Sequence, residues 1–136
     1  MADKITGGCL CGKVRYECSA EPIFTGNCHC RDCQKASGGA FAPAIAVPAA
    51  ALRVNGDVKF YDSKADNGNA VSRGFCTNCG GRVTAKSSGM PDLAIILAGT
   101  LDDPSWFKPQ MDVYTASAQP WDHMNPALPK FPKLPM

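Results

Sequence analysis

The chain has 136 residues and a mass of 14.4 kDa, one domain's worth of chain and enough to bury a modest core. Hydrophobic residues make up 45% and charged residues 19%, which excludes a disordered polymer. Fourteen Lys and Arg against twelve Asp and Glu leave a net charge of +2, too small to make nucleic acid or an anionic membrane the main partner.

The N-terminal Met1-Ala2-Asp3-Lys4 has no apolar signal core, so export is not expected and the cytoplasm is the expected compartment. Residues 13–18, Lys-Val-Arg-Tyr-Glu-Cys, alternate strictly and place Val14, Tyr16 and Cys18 on one face of a half-buried strand. Further strands are expected over 23–27, 41–47, 58–62, 70–75, 82–86, 93–99 and 112–115, each short and bounded by Gly, Pro, Asn or Asp. Only 31–37 reads as a helical turn, and it is too short to stand alone. The longest apolar run, 93–99, falls far short of the ~20 residues of a membrane-spanning helix. Leu101-Asp102-Asp103-Pro104 reads as a turn. Five of the eleven prolines lie from Pro120 onward, which excludes a helix or central strand there. That stretch is either an extended tail or one that packs back through Trp121 and Phe131. The expected class is all-β: one domain over residues 1–136 with a Pro-rich tail over 119–136.

Seven of the eight cysteines fall in three clusters. Cys9-Leu10-Cys11 is a CxC; Cys28-His29-Cys30-Arg31-Asp32-Cys33 is a CxCxxC; Cys76-Thr77-Asn78-Cys79 is a CxxC followed by Gly80 and Gly81. Without a secretory context such clusters point to metal and not to disulfides, so all eight thiols are expected reduced. Residues two apart in extended chain point the same way, so a CxC offers two sulfurs on one side. A CxxC closes a tight turn around one ion, and a neighbouring glycine lets N–H groups approach the sulfurs. Zinc takes four ligands with Zn–S about 2.3 Å. Seven sulfurs cannot fill two such sites. If Cys9, Cys11, Cys76 and Cys79 close one, Cys28, Cys30 and Cys33 make a second with an open position, as catalytic zinc keeps and structural zinc does not. The alternative is a closed second site completed by Cys18 or His29. Cys18 reads instead as a buried free thiol, and His29 as pointing away from Cys28 and Cys30.

These motifs carry a resemblance. Gly7-Gly8-Cys9-Leu10-Cys11-Gly12-Lys13-Val14-Arg15-Tyr16 resembles the opening motif of the glutathione-dependent formaldehyde-activating enzyme family. Residues 28–35 with Ser37-Gly38-Gly39-Ala40-Phe41 resemble its central motif, Arg73-Gly74-Phe75-Cys76-Thr77-Asn78-Cys79-Gly80 its third, and Gly99-Thr100-Leu101-Asp102-Asp103-Pro104 its later turn. The match spans roughly residues 5 to 121, in the same order and spacing. The resemblance implies a β-tent of small antiparallel sheets stapled by zinc, with two Zn²⁺ per chain. Cys9, Cys11, Cys76 and Cys79 match the structural ligands, and Cys28, Cys30 and Cys33 the ligands of the catalytic zinc. It implies a carbon–sulfur lyase that condenses formaldehyde with glutathione to S-(hydroxymethyl)glutathione, so that the partners are a glutathione-like thiol and an aldehyde. The sequence departs from the family where a His-Ile pair often enters the last strand. It carries Met111-Asp112-Val113-Tyr114 there, leading to Pro120-Trp121, so neither a polar nor an acid–base role is expected at that position.

A thiol bound at an open zinc loses its proton and is held ready for an aldehyde carbon. His29, Asp32 and Ser37 are candidates for moving a proton to the forming alkoxide. Each also has a structural reading: His29 hydrogen-bonded beside the ligands, Asp32 and Ser37 capping the 31–37 turn. Arg31, Lys35 and Arg73 are candidates to meet the carboxylates of a glutathione-like substrate, the other reading being solvated surface. The competing function is a non-catalytic, zinc-stabilised β binding module, whose second metal site would be closed and silent toward thiols.

Overall fold

The computed structural model describes residues 4–135; residues 1–3, on which the expectation about export rests, lie outside it. Ten strands and one helix follow in the order β1 (Ile5–Gly8), β2 (Arg15–Cys18), β3 (Phe24–Cys28), α1 (Arg31–Ser37), β4 (Ala42–Pro48), β5 (Leu52–Asn55), β6 (Val58–Lys64), β7 (Ala70–Cys76), β8 (Arg82–Ser87), β9 (Leu93–Leu97) and β10 (Asp112–Val113). They build a three-stranded sheet, β1-β2-β5, and a seven-stranded sheet, β10-β3-β4-β9-β8-β7-β6. Every strand pair is antiparallel except β10, which joins β3 in parallel. The all-β expectation holds. No helix among the described residues is long and apolar enough to cross a membrane.

Alternation places the core. Val14, Tyr16 and Cys18 are 0%, 3% and 0% exposed, while Arg15 between them points to solvent. They pack with Ile5 against Ile45, Val47, Val83, Ala94 and Ile96 of the larger sheet, so the apolar core lies between the two sheets. Two strands escape the sequence reading. β1 ends in two glycines, and β5, Leu-Arg-Val-Asn, alternates over only four residues, too short a run to stand out. The apolar run over 93–99 leaves the sheet at Leu97, and Ala98–Thr100 turns as a 3-10 helix. Against that turn β1 packs closely. Gly7 bridges Leu101, and a Cβ on Gly7 would lie 2.3 Å from both the Thr100 carbonyl oxygen and the Tyr16 hydroxyl, which itself bonds Thr100 Oγ1 at 2.7 Å.

The larger sheet has two unlike faces, and register tells them apart. Ile45 and Ile96 pair and face the core. Phe24, Ala46, Ile95, Ala85 and Arg73 pair in a row across five strands on the opposite face. Cys28, four residues along β3 from Phe24, shares that outer face. A bulge between Gly74 and Phe75 skips Val83, so that Arg82 pairs with Phe75 and comes round to the Arg73 side.

The Pro-rich tail packs back, through main chain and charge instead of its large aromatics. Phe131 N–H donates to Asp112 O at 2.9 Å, and Asp112, Tyr114 and Thr115 donate to the carbonyls of Pro129, Lys133 and Phe131. Trp121 stays 59% exposed.

Replacing Gly7 by Ala forces the β1 edge away from the 98–100 turn. The expected cost is about 1–3 kcal/mol, typical of overpacking, read from the urea midpoint; an unchanged midpoint would contradict the close approach.

Candidate metal centres

Among the described residues, His, Cys, Asp and Glu side chains gather into two groups that can hold a metal ion: Cys9, Cys11, Cys76 and Cys79, and Cys28, Cys30 and Cys33. Within each group the sulfurs all lie within 4.8 Å of one another. All eight cysteines are free thiols.

The first group joins the two sheets. Cys9 and Cys11 lie in the β1–β2 connection; Cys76 ends β7, and Cys79 lies in the turn before β8. Cys9 Sγ is 3.6 Å from Cys11 Sγ, which is 3.8 Å from Cys76 Sγ. Sulfurs at the corners of a tetrahedron with 2.3 Å bonds are about 3.8 Å apart, so this donor set fits zinc. Main-chain N–H groups point at the sulfurs: Val14 to Cys9 at 3.3 Å, and Asn78 and Cys79 to Cys76 at 3.3 and 3.5 Å. Gly80 supplies the left-handed residue that closes the turn, with φ of 75°, and donates to Cys76 O at 2.9 Å. Burial alone raises the Cys9 thiol, but the Val14 N–H and the thiols of Cys11, Cys76 and Cys79 outweigh it and bring Cys9 down to about 6. A metal ligand must be a thiolate, and this cradle already favours one.

The second group is local. Cys28 ends β3, Cys30 is the N-cap of α1 and Cys33 sits in its first turn, donating its N–H to Cys30 Sγ at 3.3 Å. A cysteine thus takes the capping place expected of Asp32. Ser37 works at the other end, where its hydroxyl donates to Phe41 O at 3.3 Å and accepts from Gly39 N–H at 3.1 Å. The Cys28 and Cys33 thiols donate to Cys30. Despite burial, these bonds, the Cys33 N–H and the charge of Arg73 hold Cys30 far below an ordinary thiol. Its neighbour Cys28 is pushed up, chiefly by giving its hydrogen to Cys30.

Cys18 and His29 lie elsewhere. Cys18 is buried in the core and donates to Ala20 O at 3.6 Å. His29, 1% exposed, turns from the sulfurs: its Nε2 meets Asp112 Oδ1 at 2.9 Å, and its Nδ1 meets Asp122. Each ring nitrogen thus has a carboxylate partner, and Lys130 Nζ bonds the other Asp112 oxygen at 2.9 Å. Burial pushes the Asp112 carboxyl up, but hydrogen bonds from His29, Lys130 and Asn27 more than offset this and hold it below the usual carboxylate range. Asp112 thus gives the start of β10 a buried polar role. Sequence reasoning missed this quartet, three buried side chains closed by the partly exposed Lys130, because Asp112, Asp122 and Lys130 belong to no motif.

Of the cations named from sequence, Arg73 approaches the second group, with Nη2 4.0 Å from Cys33 Sγ and Nη1 bonded to Ser63 Oγ at 3.1 Å. Arg31 bends onto the Gln34 side chain, and Lys35 is exposed. Buried Gln34 donates to His29 O at 2.7 Å and Ser117 O at 3.0 Å, fixing α1 to the later chain. Tyr114, the one non-glycine residue with positive φ (57°) among those described, donates its hydroxyl to Asp66 at 2.8 Å. Arg82, partly buried on the Arg73 side, was likewise invisible in the motifs, because only the bulge brings it there.

Asp112→Asn removes the buried carboxylate that accepts from Lys130 and meets His29. The expected loss is about 3 kcal/mol at pH 7 by denaturant unfolding. The Asp112 contribution is complete above the unfolded carboxyl's pKa and is lost as pH falls through the lower folded value, so the gap to wild type should narrow in acid. A neutral substitution at pH 7 would show the quartet to be dispensable.

The comparisons with known proteins agree with this geometry. A crystal structure of a Rhodobacter sphaeroides protein superposes with a TM-score of 0.59 at 18% identity, covering 93% of this chain and 98% of that one, which shows the fold. No curated protein matches the chain significantly. The family model described as glutathione-dependent formaldehyde-activating enzyme matches residues 4–117, most of the length and both sulfur groups. The chain belongs to the glutathione-dependent formaldehyde-activating enzyme family.

Proposed function

We propose that the chain is a zinc-dependent carbon–sulfur lyase that interconverts a glutathione-like thiol and an aldehyde, formaldehyde foremost, with their S-hydroxymethyl adduct. Two zinc ions per chain are part of this reading, one held by Cys9, Cys11, Cys76 and Cys79 and the other by Cys28, Cys30 and Cys33. The observation that carries it is the second group: three sulfurs, with no fourth His, Cys, Asp or Glu donor among the described residues. Zinc held there supplies Lewis acidity, binding a thiol as the thiolate and leaving room for a ligand that is not the protein's own.

The chain's own residues do the rest. In the forward direction the substrate's S–H bond breaks and an S–C bond forms to the carbonyl carbon. The carbonyl π bond breaks, its electron pair moves onto the oxygen, and the proton lost from sulfur ends there to make the hydroxyl. Cys28, Cys30 and Cys33 set the place of the sulfur, held in a fixed cap-and-first-turn geometry by the Cys33 N–H. Arg73 puts a positive charge beside Cys33, where negative charge accumulates. Gln34 and His29 anchor the segment between the ligands, so the three sulfurs sit on a braced turn.

The two groups should respond differently to loss of a sulfur. The first joins distant hairpins, and structural zinc contributes of order 10 kcal/mol to folding in small peptides. Cys76→Ser is expected to give little native structure by circular dichroism. The second is built within one short segment, so Cys30→Ser should keep the fold and lose one metal. With ¹³C-formaldehyde and glutathione, wild type should accelerate exchange into the S-hydroxymethyl adduct, followed by NMR, and Cys30→Ser should fall to the uncatalysed rate. Equal exchange rates with and without the wild-type protein would contradict the activity. A folded, fully metallated Cys76→Ser protein would contradict the division of the sulfurs.

A further inference from the structure

We propose that Arg73 and Arg82 together form a seat for a carboxylate of the thiol substrate, so that the site selects acidic thiols over neutral ones. The inference rests on the reading that Cys28, Cys30 and Cys33 receive a thiol, and adds what else that molecule must carry.

Arg82 is the unusual member. It lies on β8 next to the bulge that skips Val83, and without that bulge its side chain would project to the core face. The bulge places it opposite Phe75, on the outer face that carries Arg73 and Cys28. Its Nε is buried and has no hydrogen-bond partner. A buried guanidinium donor without an acceptor is costly, and none of the ion pairs of the described residues reaches it. Burial and, after it, the neighbouring Arg73 both work against its charge, and the cysteine group around Cys33 is what favours it.

Arg73 is the other half. One arm is fixed by Ser63 Oγ at 3.1 Å and the other lies 4.0 Å from Cys33 Sγ. Arg82 Nε is the donor still unpaired, and a carboxylate on the molecule whose sulfur enters beside Cys33 would supply its acceptor. A planar guanidinium fork suits a carboxylate better than an ammonium does. Arg31 and Lys35 do not compete for this role, the first being bonded to Gln34 and the second exposed.

S-methylglutathione tests the seat apart from the chemistry, since it keeps both carboxylates and has no free thiol. Titrated into ¹⁵N-labelled, zinc-replete protein, it should shift the Nε–H signals of Arg73 and Arg82, and its diethyl ester should not. Arg82→Gln should weaken S-methylglutathione binding about tenfold or more, and Arg82→Lys, which keeps the charge without the fork, should fall between. Arg53→Gln, on exposed β5, should bind as wild type. The proposal is overturned if S-methylglutathione leaves both signals unmoved, if the diester binds as well as the acid, or if folded Arg82→Lys and Arg82→Gln bind as wild type. Should Arg82→Gln not fold, the acid–ester comparison and Arg82→Lys still decide. Failure of the lyase reading looks different: S-methylglutathione binds at the arginines while glutathione and formaldehyde exchange no faster than in buffer.

Discussion

The four-sulfur group of Cys9, Cys11, Cys76 and Cys79 is the constraint on which the rest depends. It ties the β1–β2 connection of the small sheet to the β7–β8 turn of the large one. The apolar core between those sheets is modest, built on side chains such as Val14, Tyr16, Ile45 and Ile96. A small chain with a modest core gains much from a cross-link between segments far apart in sequence. Once the sheets are fixed face to face, the other face of the large sheet is left free. That face carries Cys28 and Arg73, and the Gly74/Phe75 bulge adds Arg82. One cluster thus joins the two sheets, while the other lies at the open face of the larger one.

Charge fixes the tail in the same way that sulfur fixes the sheets. His29 sits between Cys28 and Cys30 in sequence yet serves as the hub of a polar quartet with Asp112, Asp122 and Lys130. Through it the ligand-bearing segment, the short parallel strand β10 and the Pro-rich tail become one unit. Such a network is stable only when every member is satisfied. It braces the turn that carries Cys28, Cys30 and Cys33, so the precision of the sulfur geometry depends on residues well outside the motif.

Much of this was legible in the sequence where a pattern is local. Val14, Tyr16 and Cys18 announced a buried strand face by alternation, and they are buried. The CxC, CxCxxC and CxxC spacings announced sulfur clusters, and the sulfurs do gather into groups of four and three. What was not legible depends on partners that no pattern names. β1 and β5 carry too few apolar residues to be seen alone. The capping role of Cys30 was hidden behind the usual preference for Asp. The tail's anchoring was sought in Trp121, which is exposed, because a large aromatic is the stronger signal than a pair of aspartates. Arg82 reaches the site only through an irregularity in pairing, and register irregularities leave little trace in a single sequence.

Cobalt substitution tests the central claim most directly, because thiolate-to-cobalt absorption reports how many sulfurs each ion binds. The account predicts two ions per chain, one with four thiolates and one with three. Added glutathione should change the three-thiolate spectrum and leave the four-thiolate spectrum unmoved. Two four-thiolate sites, both indifferent to glutathione, would contradict it and leave a zinc-stapled binding module in place of an enzyme.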